Sequence, residues 1–266
     1  MTDPMAVWLV HEKVGEGSYG EIYRATRRVP LATSAEENTA ALKVIDLERT
    51  SDDLDDLLTE VDFQAKCLSA YLARFYGAWM WERKLYIAME FLGGGSAEQL
   101  LRTCKLNEDI CSFILREVAQ GLSYMHTNGK IHRDIKAANI LFSSTGGVKL
   151  ADFGVAAQLT ADRQVRNTFV GTPLFVAPEI VLSQTYDTAV DVWSYGVMAI
   201  ELAMGVAPRA NQHPMEVLYQ IPTSPSPQLG PEFSAEFRDL VGQCLSKIPE
   251  QRPKMSELLK SHPFLQ

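Results

Sequence analysis

The hydrophobic period of this chain changes once, and the change divides its 266 residues into two kinds of structure. Up to Phe91, short β-branched and aromatic runs alternate with Gly-rich or polar turns. Trp8–Val10, Glu21–Tyr23, Ala41–Ile45, Arg74–Trp79 and Leu85–Phe91 read as strands. Gly93–Ser96 then punctuates the chain. Beyond it the apolar residues recur at helical spacing. Ile110, Phe113, Ile114, Val118, Leu122 and Met125 predict a helix that Asn107 caps and Gly129 ends. Ala189–Ala203 is apolar nearly all round, interrupted by Asp191 and Glu201, as expected of a helix buried on every side. The fold class is therefore α+β: a small β-rich part, then a larger α-helical part. Residues 222–231, PTSPSPQLGP, read as a stiff loop.

One helix is expected inside the β-rich part. After Ser51, the residues Leu54, Leu57, Leu58, Val61 and Leu68 follow helical spacing, and Asp52, Asp53, Asp55 and Asp56 fill its first turns. Acids there suit the positive end of the helix dipole. They serve either to stabilise and solvate the helix start or to dock a basic partner. The net charge of −8 argues against nucleic acid as the main partner. Cys67, Cys104, Cys111 and Cys244 form no metal-ligating pattern and read as free thiols in a reducing, cytoplasmic setting. The start MTDPMAVWLVHEK does not read as a signal peptide. The most apolar stretch, 190–207, falls short of the roughly 20 residues of a membrane span.

The chemistry is concentrated in a few short runs. His132-Arg133-Asp134 is followed by Lys136 and Asn139, and Asp152-Phe153-Gly154 comes eighteen positions after Asp134. A carboxylate, an ammonium and a carboxamide share one loop, and a second carboxylate precedes a glycine. This set suits phosphoryl transfer: a base for a hydroxyl, a cation for the moving group and oxygen ligands for Mg²⁺. Upstream, GEGSYGEI places Gly15, Gly17 and Gly20 where a backbone can approach phosphate oxygens closely. Alone, those glycines also fit an ordinary hairpin turn or a dinucleotide fold, although β-prone residues follow them. Lys43 lies mid-strand among apolar residues. A strand lysine either points to solvent or, if buried, needs an anion, for which Glu60 is the candidate.

Taken together, these runs resemble a eukaryotic protein kinase domain over residues 8–266, with an N-lobe of about 8–91, a hinge of about 89–96 and a C-lobe of about 97–266. Ala177-Pro178-Glu179, Asp191 in DVWSYG, and Arg252 follow in the family's order. HRDIKAAN with GTP at 171–173 resembles the serine/threonine class. DFGVAAQLTADRQVRNTFVGTP, EFLGGGSAEQLL and HPMEVLYQIP resemble sterile-20-like kinases of the germinal-centre group, third subgroup most of all. The resemblance implies a bilobal fold, ATP and Mg²⁺ (or Mn²⁺) as cofactors, and protein substrates. Asp134, Lys136, Lys43 and Glu60 would carry catalysis, with Asn139 and Asp152 as metal ligands. Val14, Gly15, Glu16, Gly17, Ser18, Tyr19 and Gly20 would cover the phosphates. Ile22, Ala41 and Leu141 would sandwich the adenine, and Met89, Glu90 and Leu92 would line its edge. Thr168 would be the activating phosphosite, answered by Arg133. Thr172 would complete the acceptor site, and Val155 would favour threonine. His132, packing beneath Phe153, together with Glu179, Asp191 and Arg252, would be structural. An armadillo-type scaffold and a trans-autophosphorylating dimer are implied partners.

Four departures from the pattern stand out: Gln64, where the family places an apolar residue in a stack with Phe75, Phe153 and His132; Gln99 in place of an acid; Leu174-Phe175 after GTP; and a longer loop at 27–40. Gln64 gives the rival reading, a pseudokinase-like scaffold that binds partners without turnover, its main support.

Overall fold

The computed structural model describes residues 3–17, 20–31, 38–48, 61–62, 64–152, 157–158 and 173–266. They fall into two compact units: 1–94 with 142–147, and 95–141 with 148–266.

The first unit is built on five antiparallel strands in the order β1-β2-β3-β5-β4. These are β1 (Trp8–Gly17), β2 (Gly20–Arg27), β3 (Thr39–Asp46), β4 (Phe75–Trp81) and β5 (Lys84–Glu90). A four-residue helix, α1 (Pro4–Val7), leads into β1, capped by Asp3. β1, β2 and β3 extend beyond the runs that announce them, because ladder pairing carries polar residues along with apolar ones. β4 starts one residue later than its run, and β5 is shifted back by one. The sheet buries both faces. On one, Trp8, Ala25, Ala40, Leu42 and Ala88 pack together, and Trp8 stacks on Tyr76. On the other, Ile45, Leu85 and Ile87 pack with Phe75 and with Val61. Val61 belongs to a helix, α2, whose described part is residues 61–62 and 64–66. The expected helical pattern from Ser51 to Glu60 lies outside the described residues. Leu68 is not helical and is 82% exposed, so the apolar pattern overran the helix.

The second unit is helical. α3 (Ala97–Thr103) opens with a capping box in which Gln99 accepts from the Ser96 N–H while Ser96 Oγ accepts from Gln99. Gln99 is thus held by helix capping. α4 (Glu108–Thr127) starts at Asn107, whose side chain accepts from Ile110 N–H. Its buried stripe is Cys111, Ile114, Leu115, Val118, Ala119, Leu122 and Met125. Ile110 and Phe113 fall to one side of that stripe and are exposed, unlike the expectation. β6 (Lys130–Ile131), β7 (Ile140–Phe142), β8 (Val148–Leu150) and β9 (Ala157–Gln158) follow. β6 pairs with β9, and β7 with β8.

α5 (Pro178–Val181) precedes α6 (Ala189–Met204), in which residues 190–200 are all buried, as the apolar pattern predicts. Gly205 ends α6 in the left-handed conformation, at φ 79°. α7 (Pro214–Thr223), α8 (Ala235–Cys244) and α9 (Met255–Ser261) complete the unit. α7 runs through Pro222, so the proline-rich loop starts two residues later than its sequence suggests.

Candidate active site

In the second unit, the loop after β6 brings two chemically distinct side chains onto one carboxylate. Lys136 Nζ lies 2.9 Å from Asp134 Oδ2, and Asn139 Nδ2 donates to the same oxygen at 2.9 Å and to the Asp134 carbonyl at 2.7 Å. Asn139 is buried, and both its amide hydrogens go to Asp134, so its oxygen is the end presented elsewhere. Asp134 and Lys136 both keep some solvent access.

Two acids interrupting the apolar α6 hold this loop. Asp191 is wholly buried and accepts from His132 N–H and Arg133 N–H, both at 2.8 Å, and from His126 Nε2 at 2.9 Å. Burial alone would raise its pKa. The His126 hydrogen bond and charge, followed by His132, outweigh that and hold the carboxyl below its ordinary value. Ten residues on, Glu201 Oε2 accepts from Ala137 N–H at 2.8 Å. Burial pushes Glu201 up to about 7. Asp191 and Glu201 are about 15 Å apart along the helix, so α6 grips the loop at both ends. Arg133 sits at φ 70°, a left-handed conformation that costs on the order of 1 kcal/mol. Its bond to Asp191 offsets that strain.

His132 connects the two loops. It is fully buried, its Nδ1 accepts from Asp134 N–H, and its Nε2 faces the Ala151 carbonyl at 3.2 Å. An accepting Nδ1 leaves the proton on Nε2, and burial pushes the ring pKa down, so the ring is neutral. Ala151 N–H in turn donates to the Asn139 carbonyl. The residue before Asp152 is thereby bonded to both ends of the loop, and Asp152 takes the left-handed conformation at φ 59°. The β6–β9 pairing fixes the chain again six residues later.

The first unit carries a second group of expected residues on one sheet face. Ile22 pairs with Lys43, and Ala41 pairs with Met89. Paired residues share a face, as do positions two apart, so Ile22, Ala41, Lys43 and Met89 line one side. Lys43 is buried there, on the face where Ile45 packs against Val61. Gln64, on the same helix as Val61, is buried too.

The glycines of the β1–β2 hairpin differ in what they do. A β-carbon at Gly20 would meet the Val44 carbonyl oxygen at 2.0 Å, so the fold itself demands glycine there. At Gly15 the nearest atoms would be Ile22 carbons at 4.0 Å, so the fold tolerates a side chain. Val14 and Glu16 are exposed on β1. β5 ends at Glu90, whose N–H donates to the Arg74 carbonyl, and Leu92 is buried just beyond. Leu141 is half-buried in β7 of the second unit.

Away from these groups, Glu179 and Arg252 form a buried bidentate ion pair, at 2.6 and 2.8 Å. Arg133 donates to the hydroxyl of Tyr186. Ser18, Tyr19, Glu60, Phe153, Val155, Thr168 and Thr172 lie outside the described residues. The sequence reading missed His126 and Tyr186, and took Glu201 only as an interruption. The signal for Glu201 was present: an acid inside a helix apolar nearly all round must meet a donor.

Residues 8–265 match the family described as protein kinase domain. Serine/threonine-protein kinase sid1 of Schizosaccharomyces pombe is 48% identical over 254 residues, 95% of this chain and 52% of that protein. Serine/threonine-protein kinase dst1 of Dictyostelium discoideum is 40% identical over 99% of the chain and 35% of its own length. Serine/threonine-protein kinase 1 of Arabidopsis thaliana is 41% identical over 99% of the chain and 31% of its own length. The chain thus spans about half or less of these relatives.

Proposed function

This chain belongs to the protein kinase family, and we propose that it transfers the γ-phosphoryl group of ATP to serine or threonine hydroxyls of proteins. The observation that carries this reading is the convergence of Lys136 and Asn139 on one oxygen of Asp134. Oδ2 is taken by those donors, so Oδ1 would accept the hydroxyl proton. As it does, the acceptor oxygen bonds to the γ-phosphorus, the bond to the bridging oxygen breaks, and its electron pair leaves with ADP. Lys136 would offset charge on the moving group.

Asn139 and Asp152 are oxygen donors of the kind a hard cation takes, so they fit Mg²⁺, or Mn²⁺ in its place. When bound, such a cation would neutralise the phosphate oxygens. Lys43, with Glu60 as its ion partner, would position the α- and β-phosphates. Ile22, Ala41 and Leu141 would hold the adenine faces, with Met89, Glu90 and Leu92 at its edge. Gly15, where packing does not require glycine, would keep the backbone open to phosphate.

The finer reading is that phosphorylation of Thr168 activates the enzyme through Arg133, that Thr172 completes the acceptor site, and that Val155 tilts the preference toward threonine. An armadillo-type scaffold and a transient dimer would be the regulatory partners.

A ³²P-transfer assay on a basic protein acceptor tests the central reading. Asp134→Asn is expected to lower kcat at least about a hundredfold with an unchanged unfolding midpoint, and Lys43→Met to do likewise. Wild-type transfer no faster than that of Asp134→Asn would leave only a binding scaffold.

A further inference from the structure

Between α5 and α6 the chain runs over the surface, and residues 182–185 are exposed. Tyr186 breaks that run. Its ring is half-buried against Arg133, with the guanidinium carbon 5.2 Å from the ring centroid. Its hydroxyl accepts from Arg133 Nη2 at 2.5 Å. Meanwhile Arg133 Nε is buried with no hydrogen-bond partner among the described residues. One edge of the guanidinium is therefore held, and a donor beside it is left over. A buried N–H without an acceptor carries a desolvation cost, and in a cation that cost selects for an anionic visitor.

We propose that Tyr186 is a positioning residue: its hydroxyl and ring hold the Arg133 guanidinium ready for a phosphate monoester. This rests on the reading of Arg133 as the group that answers phosphorylated Thr168. Two physical points favour tyrosine for the task. An arginine left mobile loses its rotamer freedom when the anion arrives, whereas one already held by Tyr186 has lost it beforehand. A phenol also accepts a hydrogen bond without cancelling charge. A carboxylate in its place would neutralise the guanidinium and weaken its pull on a dianion. The backbone is prepared in the same way, since Asp191 fixes Arg133 N–H. Main chain and side-chain tip of Arg133 are thus both held, by residues more than fifty positions away in sequence.

The test is Tyr186→Phe, which keeps the stacked ring and removes only the hydroxyl. It is measured with Thr168-phosphorylated protein in the wild-type and Arg133→Ala backgrounds. In the wild-type background kcat is expected to fall about three- to tenfold, part of the worth of a hydrogen bond to a charged group. KM for ATP should stay unchanged. In the Arg133→Ala background Tyr186→Phe is expected to add nothing. In the nitrogen-15 spectrum, the Arg133 Nε–H resonance should broaden on Tyr186→Phe.

An undiminished kcat overturns the proposal. So does an equal loss with Arg133 absent, which would make Tyr186 a structural anchor of its loop. Thr168→Ala with full wild-type activity would retire the phosphosite reading separately. The cycle with Arg133→Ala would still decide whether Tyr186 acts through Arg133.

Discussion

Glu201 and His132 hold the same loop from opposite sides of neutrality. Burial raises Glu201 to about 7 from an ordinary value of 4.5. The folded state therefore keeps a proton that the unfolded chain releases above about 4.5, and stability falls as pH rises between those values. Burial lowers His132, so its sign is reversed: stability is full above about 6.5 and falls as pH drops below it. Glu201→Gln keeps an oxygen for Ala137 N–H and removes the ionisation. The variant should therefore gain on the wild type as pH rises from 5 to 8, by no more than roughly 3 kcal/mol. Urea unfolding across that range measures the gain. A constant difference would mean that Glu201 does not titrate there.

Elements were legible where the period was long and the stop was chemical. α6 announced itself by a run apolar nearly all round, broken only by Asp191 and Glu201, and α4 by its cap at Asn107 and the glycine at 129. Finer placement was not legible, because a helical repeat fixes a face only to within about one residue. Ile110 and Phe113 fit the repeat and still lie outside the buried stripe. The grip of α6 on the loop was hidden for a different reason: the backbone donors that meet Asp191 and Glu201 are more than fifty residues away.

Two glycines make the limit measurable. Gly196 in α6 and Gly242 in α8 are both helix-interior glycines, where alanine ordinarily gains about 1 kcal/mol. A β-carbon at Gly196 would sit 2.8 Å from Cys244 Cβ and 2.9 Å from Leu245 carbons, whereas one at Gly242 meets nothing within 4 Å. Overpacking costs about 1–3 kcal/mol and outweighs propensity at the first site. Gly196→Ala should lower stability by about 1–2 kcal/mol, and Gly242→Ala should raise it by about 0.5–1 kcal/mol. Equilibrium unfolding of the two variants decides, and the same sign for both would refute the packing argument.

At the scale of the molecule, the Glu179–Arg252 pair closes a span of 73 residues inside the second unit. Arg252 also donates to the Ala189 and Ser246 carbonyls, so it ties α5, α6 and the chain before α9 together. Breaking a buried pair leaves one charge unanswered, at a cost of about 3–5 kcal/mol. That is a large part of the roughly 5–15 kcal/mol that holds a domain folded. Glu179→Gln should lower the thermal midpoint by several degrees, and an unchanged midpoint would show that the guanidinium finds another acceptor. The sequence offered this pair only through a family resemblance, since nothing local to either residue points to the other.

The loop from His132 to Ala137 contains almost no regular secondary structure, yet three of its amide hydrogens end on carboxylates of α6. Solvent deuterium can replace them only when the helix and the loop part. These amides should therefore exchange on the slow timescale of the helix interior, like a piece of core that happens to have no ladder of its own.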